Sequence, residues 1–142
     1  MQYKSIQDVP EDQVERAISF IAAALRLVHS KTAARIAQYI ADECLLHGQS
    51  NLPHKEFERR TGTCRRTVSR ALQNLLAMKI IERIEHTEEK RSVYRCCWER
   101  ADEYRAWGKE FDRKWAEARK EQRLKDFRAP TYPVPEAGHG QG

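Results

Sequence analysis

Arg65, Arg66 and Arg70 follow the triplet Thr61-Gly62-Thr63 at spacings of one and four. A guanidinium stays charged at physiological pH and holds its N–H donors in a planar fork. That fork fits the paired oxygens of a phosphate or the O6/N7 edge of a guanine. Lys55, Arg59 and Arg60 stand just upstream, so six Lys/Arg lie between Lys55 and Arg70 against Glu56 and Glu58. The 142-residue chain has a mild formal balance of +5, and its C-terminal third is mixed in sign. The local concentration therefore says more than the sum. Positive charge gathered on one segment is the footprint of a polyanionic partner; a solvated basic face is the competing reading.

Other chemistries are poorly provided for. The sequence holds no Gly-rich phosphate loop, no nucleophile elbow and no HExxH, and its abundant carboxylates fall on charged helix faces. Catalysis is not expected. Cys44, Cys64, Cys96 and Cys97 have no repeated CxxC spacing, and a set built from Cys44, His47, His54 and Cys64 matches no standard zinc pattern. Free thiols, no metal and no cofactor are the expectation. No stretch approaches the ~18 consecutive apolar residues of a membrane span, and the N-terminus lacks the layout of a secretion signal. A cytoplasmic, nucleoid-associated location follows.

The arginines need an element to present them. From Cys64 to Met78 the apolar positions Val68, Leu72, Leu75 and Leu76, with Ala71, recur at helical spacing. Gly62 can take the left-handed conformation that ends a preceding helix, and Thr63 can cap the next one. That preceding helix opens at Pro53, after an extended Asn51-Leu52-Pro53, and runs through Phe57 and Arg60. Upstream, Ala33, Ile36, Ile40 and Cys44 mark a helix from a Ser30–Thr32 cap to a stop at Gly48. After Met78 the period changes. Ile80 to His86 and Ser92 to Trp98 read as two strands around the polar turn Thr87–Arg91, with Lys90 and Arg91 at its tip.

Flanking helices complete the chain. Acidic Glu11 and Asp12 after Pro10 start a helix to Val28, whose stripe Val14-Ile18-Ile21-Leu25-Val28 reads as the packing or dimerisation seam. Phe20, Leu27 and Ala22 to Ala24 widen it beyond one face, so the helix is expected to be buried against more than one neighbour. Glu99 to about Phe127 reads as one long charged helix with an aromatic stripe of Tyr104, Trp107, Phe111 and Trp115, weakened at Gly108. That stripe is packing surface, against the 14–28 helix of the same chain or of a second subunit. Residues 129–142 hold three of the five prolines and three of the six glycines and are expected to lack regular structure. The divisions are thus 1–30, 31–98, 99–128 and 129–142, in a mostly α fold with a small β-ribbon.

Over residues 52–81 the sequence resembles the winged helix-turn-helix DNA-binding domains of bacterial regulators of the Crp and GntR types. The resemblance is carried by Leu52, Glu56-Phe57, Arg59-Arg60-Thr61-Gly62, Arg65, Thr67-Val68, Arg70, Ala71-Leu72, Leu75 and Ile80-Ile81. It departs at Glu58, where those families place a small residue at the helix crossing. It implies that the helix after Gly62 is the recognition helix, with Arg65, Arg66 and Arg70 facing DNA and Thr67 meeting a phosphate. Thr63, Lys55, Arg59, Arg60, Lys90 and Arg91 then assist. The implied function is sequence-specific binding of double-stranded DNA by a homodimeric regulator, most simply a repressor. A plasmid or phage replication or partition protein uses the same module. The reading from a different class is a protein-interaction module working through the aromatic helix or the tail.

Overall fold

A computed structural model describes residues 3–84 and 92–135. Five α-helices run in the order α1 (Glu11–Val28), α2 (Lys31–His47), α3 (His54–Thr61), α4 (Arg65–Ala77) and α5 (Glu99–Lys120). Between α4 and α5 lies one antiparallel pair, β1 (Ile81–Ile84) with β2 (Val93–Cys96). The predicted strand ends at Glu85 and His86, and the turn with Lys90 and Arg91, lie outside the described residues.

Local chemistry explains most boundaries. The Ser30 hydroxyl accepts from the Ala33 N–H at 3.1 Å and caps α2. Gly48 closes α2 at φ 83° and Gly62 closes α3 at φ 71°, each donating its N–H back into the helix. No atom lies within 4 Å of where a Cβ on Gly62 would sit, so its backbone conformation alone calls for glycine. Two caps shift by a residue from the sequence expectation. Pro53 precedes α3 instead of opening it, and Cys64, not Thr63, stands at the N-cap of α4. Thr63 instead shares a hydroxyl hydrogen bond of 2.8 Å with Thr61, whose own hydroxyl donates to the Phe57 carbonyl.

The core lies where α2, α4 and the sheet meet. Ile36, Ile40, Phe57, Val68, Leu72, Leu75, Ile80, Ile81 and Tyr94 are almost completely buried there. Each such side chain contributes roughly 1.5–3 kcal/mol of burial. A single bridge pairs Ser50 with Tyr94, with N–H to carbonyl distances of 2.8 and 3.1 Å, and ties the segment before α3 to β2. On the outer face of the sheet, Arg95 pairs with Glu82 across the register.

α1 splits the expected seam, with Ile21 and Val28 packed against the core. Ala17, Phe20, Ala23 and Ala24 turn inward, whereas Ile18 is 60 % exposed and Leu25 45 %. The small residues let α1 approach α2, which offers Ala33, Ala34, Ala37 and Ala41 in return. Phe20 then supplies the bulk, and its ring meets Trp98 at 5.3 Å.

α5 also differs. It packs on α1 through buried Ala101 and a two-point ion pair from Arg16 to Asp102, at 3.0 and 2.8 Å. The helix stops at Lys120, Gln122 adopts φ 56°, and a short 3-10 turn (Leu124–Asp126) sends the chain back. Phe127 then packs edge-on to Trp115 and Phe111. The Trp107 indole N–H donates to the Pro130 carbonyl at 2.8 Å, and Tyr132 stands edge-on to Trp107. The stripe Tyr104, Trp107, Phe111 and Trp115 is therefore covered in large part by this chain's own C-terminal segment. Residues 128–135 have no regular secondary structure, as expected, yet Pro130 and Tyr132 are anchored.

Candidate nucleic-acid interface

The site is built on α4, held in place by its apolar face. Val68, Ala71, Leu72 and Leu75 are buried against α2 and α3. Helical periodicity then sends Arg66, Ser69, Arg70 and Gln73 to the opposite side. Arg65, Arg66, Arg70, Gln73 and Asn74 are exposed. The sequence of α4 contains three arginines and no carboxylate. Among the described residues, no salt bridge engages Arg65, Arg66 or Arg70. Arg16, Arg95, Arg100 and Arg113, by contrast, each pair with a carboxylate.

Arg65 sits in the first turn, about 100° around the helix from Arg66. Its charge and that of Arg83 on β1 both act on His54 at the start of α3. Partial burial, then the Arg65 and Arg83 guanidiniums, hold the His54 imidazole below its ordinary value, and Glu58 opposes the shift. Arg83 is exposed and lies 5.9 Å from the centre of the Tyr94 ring. The positive surface thus continues from α4 onto the sheet.

Other expected residues take more constrained places. Lys55 is exposed on α3. Arg59 and Arg60 both converge on Glu56, at 2.5 and 2.9 Å, and together hold its carboxyl down to about 2. Arg60 also stands over the Tyr39 ring at 5.3 Å, while the Tyr39 hydroxyl donates to its carbonyl. Arg60 is therefore a half-buried brace between α2 and α3. Arg59 remains 70 % exposed and offers its remaining N–H groups to solvent. Glu58 is half-buried, and its carbonyl accepts the Gly62 N–H that closes α3.

Thr67 is half-buried, with its hydroxyl 3.4 Å from the Cys64 thiol. That hydroxyl, helped by the Thr67 and Arg66 backbone N–H groups, lowers the Cys64 pKa. Cys64 makes no full capping hydrogen bond, and the Arg66 and Thr67 N–H groups at the start of α4 lie toward its thiol. A helix N-terminus of this kind favours anions. Among the described residues, no group of three or more His, Cys, Asp or Glu is placed to hold a metal. No helix among them is long and apolar enough to cross a membrane.

Sequence reasoning passed over Ser69, Gln73, Asn74 and Arg83. Gln73 was findable, because it lies seven residues after Arg66 and so on the same face. Arg83 was not, because its action on His54 depends on where the fold places β1, which periodicity does not give. The chain matches no protein-family model, and no curated protein is significantly similar to it.

Proposed function

We infer that α2, α3, α4 and the β1–β2 pair form a winged helix-turn-helix, and that α4 enters the major groove of double-stranded DNA. The observation that carries this reading is the outward face of α4, free of carboxylates, with three guanidiniums unpaired among the described residues. Arg66, Arg70 and Gln73 would address base edges, where arginine suits guanine and glutamine suits adenine. Arg65, Arg83 and Lys55 would hold phosphates and set the register, helped by the positive end of the α4 dipole. Glu56 ties up part of the Arg59 and Arg60 charge, so those two rank below Arg65 as DNA contacts. A homodimeric regulator, acting as a repressor, is the simplest use of such a module.

The test is a duplex titration by fluorescence anisotropy at several salt concentrations. Replacing Arg65, Arg66 and Arg70 together by alanine should weaken binding at least ~100-fold, taking ~1–3 kcal/mol for each base-edge pair. If all three neutralise phosphates instead, the log–log salt slope should flatten by nearly ~3. Equal affinity of parent and variant, with folding intact, discards the reading.

A further inference from the structure

On the side of α1 away from the core runs an uncovered apolar stripe of Ile18 and Leu25, with Ile21 half-buried beside it. Ile21 and Leu25 continue into a shallow groove against α2, lined by Lys31, Ala34, Arg35 and Gln38. The charges around the stripe are ordered. Helical spacing puts Glu11 and Glu15 on the same face at its N-terminal end. Lys31 and Arg35 stand at its C-terminal end, where α2 begins. All four are exposed, and none forms a salt bridge among the described residues. On α5, by contrast, Glu110, Arg113 and Glu117 pair with one another.

An acidic end, an apolar middle and a basic end along one axis make a surface that complements itself under a two-fold rotation. Antiparallel apposition lays Glu11 and Glu15 over Lys31 and Arg35 of the other copy, and the apolar side chains meet around the axis. Parallel apposition stacks like charge on like, which is unfavourable. We propose that this face docks a second copy of the chain through an antiparallel α1–α1 contact. Its axis passes near Ile21 and Ala22, with Glu15 reaching Arg35 and Glu11 reaching Lys31 of the other copy. This names the partner for the DNA-binding reading, on which it rests for its purpose. Its test uses no DNA, so either can fail alone.

Sedimentation equilibrium on the full chain decides it. The parent should be dimeric at about 10 μM, a concentration that a specific interface readily reaches. Ile18→Glu with Leu25→Glu alters only exposed positions and should weaken association at least ~100-fold while the circular dichroism spectrum is kept. Glu15→Arg and Arg35→Glu should each weaken it several-fold, and the two together should restore it, because the charge pair is re-formed in reverse. A parent still monomeric at about 100 μM, or a dimer indifferent to the Ile18/Leu25 change, overturns the proposal. Failure of the combined charge reversal to restore association overturns the antiparallel register.

Discussion

His54 is the side chain where the candidate interface and the stability of the fold meet. Its partial burial and the guanidiniums of Arg65 and Arg83 favour the neutral imidazole in the folded chain. The unfolded chain has the ordinary histidine value of about 6.5. As pH falls through that value, the unfolded state takes up a proton that the folded state resists, and stability is lost. The loss levels off only below the lowered folded value. Urea unfolding between pH 7.5 and 6 should therefore show the parent weakening, and His54→Gln should weaken distinctly less. Identical pH profiles would mean that the imidazole does not feel the two arginines. A phosphate bound at Arg65 or Arg83 would offset the same positive charge at His54, which ties this residue to the proposed use of the site.

The helices show what glycine does when its surroundings are held equal. Gly62 and Gly108 both have open space where a Cβ would be added, but Gly62 has φ 71° and Gly108 has ordinary helical backbone within α5. Gly62→Ala should cost about 1 kcal/mol by forcing a left-handed alanine. Gly108→Ala should add about 0.5–1 kcal/mol, because it removes backbone freedom from the unfolded chain. Chemical denaturation of the two variants checks both signs, and the same sign for both would remove the conformational account. The same distinction marks what could be read beforehand. Gly48, Gly62 and Ser30 act locally, and the helix ends they predict are where the structure has them. The Val68-Leu72-Leu75 stripe was equally legible, since α4 has only one apolar face. α1 has two, and periodicity cannot choose between them. Ile18 and Leu25 read as part of a packing or dimerisation seam, and close packing on the alanines of α2 turned Ala17, Phe20 and Ala24 inward and left those two outside. The aromatic stripe of α5 was visible as packing, whereas its cover was not, because Phe127, Pro130 and Tyr132 return only after the break at Gln122.

For the whole molecule, α1 is packed by α2 and α5 while Ile18 and Leu25 stay exposed among the described residues. Arg26 lies 4.2 Å from the centre of the Trp107 ring and 5.2 Å from that of Tyr132, so the far flank of α1 is closed by aromatic side chains. On the proposed reading, the open Ile18–Leu25 face and the α4 face have separate duties, one toward a second copy and one toward a duplex. A two-fold pairing through α1 repeats α4 about the same axis, and a duplex that engages both copies must carry an inverted repeat. Half-site centres should be about 34 Å apart, or a multiple of it. Selection from random duplexes should return such repeats with the parent chain. The Ile18→Glu/Leu25→Glu variant keeps every α4 arginine, so it should bind one half-site as the parent does. On the full repeat it should lose the gain from binding both halves, on the order of 100-fold. Competition titrations with one-half and two-half duplexes separate these effects. If parent and variant show the same ratio of affinities for the two duplexes, α1 does not couple the two reading heads.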